Sequence, residues 1–348
     1  NVIRGNSFDG KWTGTDSPGA RAGGELSASE KFNVPGPRGF NLFEFNIVKN
    51  ANASGDQSTN YGMKVQGLNQ IVRANYFFDN QAEAIGGATR AGFIERTQHN
   101  RIYNNTVYRS GSLFIYRDYG YDFPFNDNVW KNNLVAGLQQ KRQVAINFTS
   151  LANINGDTSD EIEDTTIAGN IFETVPGGAA AVLQVKAGDT VMSDTFQAMG
   201  KRYPRNVYDN RTARIEFQNA AARTIDGFDV RPGSAAIDTG IPLTYTVSAG
   251  SGRTVRVEDA RYFYDGFGII GEAGDSIMIG NAPAIRIIAV DYDRNELTLD
   301  SSIAWSAGSP VNLAYAGNGP DVGAHELSSD FNIASQSRRP RPPLLLIN

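Results

Sequence analysis

The residues best suited to chemistry lie between positions 90 and 123. Arg90, Arg96, Arg101, Arg109 and Arg117 stand there among Glu95, Asp118 and Asp122. His99 is in the same stretch, and Tyr116-Arg-Asp-Tyr-Gly-Tyr-Asp-Phe123 closes it. Lys64 and Arg73 come before it, Lys141 and Arg142 after it. A guanidinium beside a uronate carboxylate stabilises the charge that builds up when the neighbouring carbon loses its proton. A Tyr, His or Lys of lowered pKa can take that proton. This is the chemistry of β-elimination on an acidic polysaccharide. On this reading Arg117, Tyr119, Tyr121 and His99 are the catalytic candidates. Lys64, Arg90, Arg96, Arg101, Asp118 and Asp122 would hold the substrate, and Trp130 would stack on a sugar ring. Each residue also has a plainer reading. An Arg on a strand surface pairs with a nearby acid, His99 beside Asn100 marks a turn, and the aromatics of 116–125 pack a loop.

Composition removes several other classes. The chain has 348 residues, no Cys, only His99 and His325 as histidines, and a net charge of −5. Disulfide frameworks, thiolate zinc sites, thiol nucleophiles and multi-histidine metal centres are thereby excluded. The acidic balance argues against a general nucleic-acid partner. No apolar run approaches the ~18 residues of a membrane span. Arg outnumbers Lys by 24 to 8, which favours planar recognition of carboxylate or sulfate. The start at Asn1 carries no readable targeting signal.

Asparagine reveals what positions these groups. Of 31 Asn, 22 lie in the first 170 positions, in one pattern. It reads Ile3-Arg-Gly-Asn6-Ser-Phe8, then Phe43-Glu-Phe-Asn46-Ile-Val48 and Val72-Arg-Ala-Asn75-Tyr-Phe77. It returns at Ile102 to Val107, Trp130 to Val135 and Ile167 to Phe172, around Asn105, Asn133 and Asn170. The spacings are 40, 29, 30, 28 and 37. A period near 30 with short β-branched and aromatic runs and few helix formers predicts an all-β solenoid. Asn tolerates left-handed corners and can stack as a ladder from coil to coil. The expected fold is a parallel β-helix, in which equivalent residues of successive coils lie ~4.8 Å apart. Basic residues on one face would then line a groove for an extended polyanion.

Coils are expected over 1–240, with 9–38 as a long loop between the first two. Residues 194–202 read as a short helix and 206–230 as degenerate coils. Residues 241–316 read as a small antiparallel β module, with a hairpin over 285–300 turning at Asp293–Asn295. Residues 317–330 close the solenoid, and 331–348 form a Pro-rich tail ending in Leu344–Ile347.

Two further segments resemble those of a known family. Pro232-Gly-Ser-Ala-Ala-Ile-Asp-Thr-Gly240 resembles the PGSPAIDAG segment of secreted bacterial right-handed parallel β-helix proteins, the pectate-lyase-like superfamily. Asp321-Val-Gly-Ala-His-Glu326 resembles their DIGAYE ending. The small insert between the two is also similar to one found in some of them. The resemblance implies a right-handed helix and a secreted or cell-surface life. In these segments Asp238 and Asp321 read as turn caps, and Gly240 and Gly323 as permitting tight backbone. The superfamily spans lyases, epimerases, glycosidases, tailspikes and adhesins, so activity stays open. Tyr119-Gly-Tyr-Asp122 is weakly similar to the Tyr-Gly-Phe-Asp-Pro-His motif of alginate C5-epimerases, but Phe123-Pro124 replaces the motif's Pro-His. Relatives among the lyases use calcium, and the acidic run Asp157–Asp164 offers oxygen ligands for Ca2+, or is a solvated loop. Asp118 with Asp122, or Glu83 with Glu95, could form a glycosidase pair. The alternative to an enzyme is a non-catalytic surface, adhesion or fibre-forming solenoid. It would bind glycans, or self-associate through an uncapped first coil and the C-terminal tail.

Overall fold

A computed structural model describes residues 1–9, 20–22, 40–50, 62–65, 67–80, 84–89, 97–118, 126–138, 144–150, 160–173, 180–222, 224 and 226–326. The chain is built mostly of strands. Three sheets of seven strands each collect one strand from successive turns of the chain. The first holds Val2–Arg4, Asn41–Glu44, Gln70–Arg73, Arg101–Tyr103, Asn128–Lys131, Thr165–Ala168 and Val207–Tyr208. The second holds Ser7–Asp9, Ile47–Lys49, Tyr76–Phe78, Thr106–Tyr108, Leu134–Ala136, Ile171–Glu173 and Arg211–Ala213. The third holds Ala20–Ala22, Met63–Val65, Ile85–Thr89, Phe114–Asp118, Val144–Ser150 and Val182–Ala187, then antiparallel Thr190–Thr195. All pairs in the first two sheets are parallel. The strand Ala20–Ala22 lies inside the segment expected to be loop.

Alternate strand positions point to opposite faces, so register decides what is core. In the first sheet Ile3, Phe43, Val72, Ile102, Trp130, Ile167 and Val207 stack in one inward column. In the second sheet Phe8, Val48, Phe77, Val107, Val135 and Phe172 do the same. In the third, Met63, Ile85, Phe114, Ile146 and Leu183 complete the core. Helix Phe196–Arg202, capped by Thr195, packs Phe196 flat on Phe172 at 4.1 Å and adds Met199 to the core. No helix among the described residues is long and apolar enough to cross a membrane.

The asparagines form a ladder along the corner between the first and second sheets. Each side-chain amide donates to the Oδ1 of the next. The steps Asn46 to Asn75, Asn75 to Asn105 and Asn105 to Asn133 are 3.0 Å, and Asn133 to Asn170 is 2.9 Å. Each backbone N–H donates to the same oxygen, and the second amide hydrogen reaches a backbone carbonyl such as Val72 O from Asn105. The ladder has a seventh member, Asn210, bonded by Asn170 at 2.9 Å. The left-handed conformation, however, belongs to the residue before each ladder Asn. Phe45, Ala74, Asn104, Asn132 and Asp209 have φ between 50 and 54°. A non-glycine residue there costs about 1–2 kcal/mol, which the ladder bonds offset. A second ladder runs Asn1, Asn41, Gln70, Asn100 and Asn128 at the entry to the first sheet.

The C-terminal third lies over the outside of two sheets. Thr244–Tyr245, Gly250–Arg256, Ser276–Ile279, Ile285–Asp291, Glu296–Trp305 and Pro310–Leu313 form a six-stranded antiparallel sheet. The expected hairpin is present, with Asn295 left-handed in its turn. This sheet shares one core with Leu42, Ile71, Tyr103 and Val129 from the outer face of the first sheet. Ile215, Val230, Ala236 and Val322 pack on Leu134 and Ile171 of the second sheet, and Phe228 and Ala324 on Tyr76 and Phe78. The two segments that carry the family resemblance clamp each other there. Asp238 N–H donates to Asp321 Oδ1 at 2.7 Å, and Asp238 Oδ1 caps Asn318 and Gly319. A Cβ on Gly240 would come within 2.8 Å of Pro320 O, and one on Gly323 within 2.9 Å of Thr106 Oγ1.

Two expectations follow. Asn105→Ala leaves two buried N–H groups of Asn75 without their acceptor, and each such group costs about 1–3 kcal/mol. Urea denaturation is expected to show a loss of about 3 kcal/mol or more, whereas Asn6→Ala at the ladder's end loses less. The second concerns Glu326, which accepts from Ala316 and Asp321. Burial first, then the charges of Asp321 and Asp238, push its carboxyl from 4.5 up to about 8. The folded chain therefore binds the extra proton between those values. Its contribution is present below 4.5 and lost as pH rises through about 8. Melting temperature should fall over that window, and Glu326→Gln should flatten the fall. An unchanged slope in the variant would refute the assignment.

Candidate functional site

The outer positions of the third sheet are set by the same alternation. Between the buried columns run two columns of another character. One stacks Arg21, Lys64, Gly86, Ile115, Asn147 and Gln184. The other stacks Ala88, Arg117, Thr149 and Lys186. Asn147, Thr149, Gln184 and Lys186 are partly exposed, while Ile146, Phe148, Leu183 and Val185 between them are buried. Thr149 and Gln184 both reach Asn147 Oδ1 at 3.4 Å. Among the described residues, the core contacts of the C-terminal third fall on the first and second sheets. Two of the sequence candidates, Lys64 and Arg117, hold register positions in the third sheet's two columns. Asp118 pairs in register with Ser150 at the end of its strand. Arg90, Arg96, Tyr119, Tyr121 and Asp122 lie outside the described residues, as do Glu83, Glu95 and Asp157 to Ser159. From the acidic run, Asp160–Glu163 forms one helical turn.

Two candidates are corrected. Trp130 is wholly buried in the inward column of the first sheet, against Phe114 and Phe148, where no sugar can reach it. It is the apolar member of the Asn pattern, and that position always faces the core. Arg101 points outward but is buried beneath the antiparallel sheet. Its Nε donates to Asp259 Oδ2 at 2.8 Å, and Nη2 donates to Asp127 Oδ1 at 2.9 Å. It joins the two layers and has no free donor face for a substrate.

Arg101 belongs to a row of buried charges at that junction. Arg73 grips Asp275 with two bonds of 2.8 and 2.6 Å, and donates to Glu44 and to Tyr103. Arg4 bridges Glu44 and Glu272. Lys131 donates to the carbonyls of Pro242 and Leu243 and lies over the Tyr262 ring. Burial pushes its ammonium down to about 8, against the pull of Asp259.

His99 sits at the exposed rim of this junction. It is left-handed, with φ 58°, as are Asn69 and Asp127 at the same corner of neighbouring turns. The plainer reading of His99 as a turn residue is therefore met, but its ring is also engaged. Nδ1 lies 2.8 Å from Asp127 Oδ2. Arg261, in the short 3-10 turn Ala260–Tyr262 that connects two strands of the antiparallel sheet, binds the same carboxylate oxygen and reaches His99 Nδ1 at 3.2 Å. Burial would raise the Asp127 carboxyl. The His99 hydrogen bond and the charges of Arg101 and Arg261 outweigh that and hold it well below the usual carboxylate range. Asp127 and Arg261 were not among the sequence candidates. The 28-residue step from His99 to Asp127 equals the ladder step from Asn105 to Asn133, and that equality is the signal that could have found the pair.

No family model, curated protein or solved structure matches the chain.

Removing Arg101 takes from the mostly buried Asp259 the closer of its two cationic partners and leaves it to Arg261 alone, and breaking a buried pair costs about 3–5 kcal/mol. Arg101→Met is expected to lower stability by that amount in chemical denaturation. A fully stable Arg101→Met protein would contradict the structural role.

Proposed function

We propose that the chain is an exported, right-handed parallel β-helix of the pectate-lyase-like kind that holds an acidic polysaccharide along the outer face of its third sheet. Parallel crossovers are right-handed in about 98% of cases, which supports the hand. The observation that carries the binding face is the partly exposed set Asn147, Thr149, Gln184 and Lys186 on two neighbouring strands, with Lys64 and Arg117 at register positions of the same two columns on earlier strands. Cations repeated along a stiff face match carboxylates repeated along a stiff chain, and amides and hydroxyls beside them match sugar hydroxyls. The reaction this reading favours is β-elimination, in which a cation neutralises the uronate and a base takes the neighbouring proton. Calcium is the cofactor to include, since a divalent cation can bridge carboxylates of substrate and protein.

A second reading is a glycan-binding surface protein without chemistry. The mutual saturation of Arg101, Asp127, Asp259 and Arg261 favours it, because four charged groups that could act on a substrate are bound to one another.

The test is affinity electrophoresis in gels holding polygalacturonate, alginate or chondroitin sulfate, with and without calcium. It is paired with the ultraviolet absorbance of unsaturated uronide ends in solution. Retardation by at least one polymer is expected, weakening with salt. Lys186→Glu should weaken it about fivefold, since one exposed charge contact is worth up to ~1 kcal/mol. Retardation with rising absorbance selects the lyase, and retardation alone selects the binding protein. Mobility unchanged by every polymer would remove both.

A further inference from the structure

We infer that His99 is the proton-abstracting base of this protein, positioned by Asp127 and by Arg261 of the turn Ala260–Tyr262, so that the C-terminal module completes the reactive site. The inference rests on the lyase reading above and names its base. Nδ1 faces the Asp127 carboxylate, an acceptor, at 2.8 Å and the Arg261 guanidinium, a donor, at 3.2 Å. Arg261 Nη1 spends a hydrogen on Asp127 Oδ2, so the closer contact assigns the hydrogen of neutral His99 to Nδ1. The Nε2 lone pair is then the one available for a proton. A carboxylate that fixes the tautomer of an imidazole in this way is the arrangement of a general base. The side chains of His99 and Asp127 are 36% and 37% exposed and that of Arg261 24%, so the group opens to solvent, unlike Arg101 and Arg73 behind it.

Arg261 binds the Asp127 oxygen that holds His99 and takes its own second contact from Asp259, at 2.9 Å from Nε. Asp127 and Arg261 face the imidazole, and Arg101 and Asp259 lie behind them. Along the chain, strands Ile85–Thr89 and Phe114–Asp118 of the third sheet come before the corners at His99 and Asp127.

The step balances without an added reagent. The C5–H bond of the uronate breaks and its proton goes to Nε2. The electron pair forms the C4–C5 double bond. The C4–O bond breaks, its pair stays on the glycosidic oxygen, and that oxygen takes a proton from the imidazolium or water.

The test uses His99→Asn in the full chain, with polygalacturonate, alginate and chondroitin sulfate. Asn69 occupies the same left-handed corner one turn earlier, so the variant keeps a residue the corner already accepts. Formation of unsaturated ends is expected to fall about 100-fold or more, in kcat and not in KM, with gel retardation unchanged. Asp127→Asn should lower kcat with KM unchanged, because its amide NH2 can turn to Nδ1 and no longer fixes the hydrogen there, and Asp127→Glu, which keeps a carboxylate acceptor, should recover part of the rate. A purely structural Asp127 would not separate the two variants in kcat. An undiminished rate in His99→Asn overturns the inference, as does retardation without product from any polymer, which leaves the binding face standing. Failure of all three polymers to retard the protein would instead remove the reading beneath it.

Discussion

The rest of the structure depends on how a buried corner satisfies its backbone. Each turn of the chain must leave the first sheet and enter the second within two residues, and its amides at that point face the interior. One residue takes a left-handed conformation and the next is Asn, whose side chain bonds to the turns on either side. An Asn inside the stack accepts two N–H groups and donates two, leaving nothing unpaired. Ser could not do this, and Asp could not donate. The register of all three sheets follows, because the ladder fixes how each turn sits on its neighbour.

A fixed register then divides the surface. Inward columns become core. The outward columns of the first sheet mix Leu42, Ile71 and Val129 with Arg4, Arg73 and Arg101, and the antiparallel sheet covers them with matching apolar groups and carboxylates. The outward columns of the second sheet present Tyr76, Phe78, Leu134 and Ile171, and segment 215–240 with 320–326 covers those. On the third sheet Asn147, Thr149, Gln184 and Lys186 stay partly exposed between buried neighbours. The coats over the first two sheets are apolar or ion-paired, whereas these four are the polar and charged groups that the proposed ligand would meet.

Much of this was legible in the sequence. The Asn pattern carries both core columns, since the residue three before Asn and the one two after it face inward in every turn. Trp130 holds the inward position of that pattern, which its aromatic character alone does not reveal. Asn210 escaped because its turn ends in Thr212, where the others have Val or Phe. The sequence does not tell the left-handed residue from the ladder Asn that follows it, since Asn favours both corners and amide stacking and only geometry separates the two. The pairing of Arg73 with Asp275, 202 residues apart, has no local signature, and neither does the burial of Arg101. Charges that look solvated along a strand become internal once a second layer docks, and the sequence does not announce which face that layer takes.

The assignment of the third sheet as the binding face is tested most directly by amide hydrogen exchange, with and without saturating polygalacturonate, alginate or chondroitin sulfate. Slowed exchange in Val144–Ser150 and Val182–Ala187, with the antiparallel sheet unchanged, is the expected result. Protection confined to residues 244–313, or to the second sheet, would contradict it.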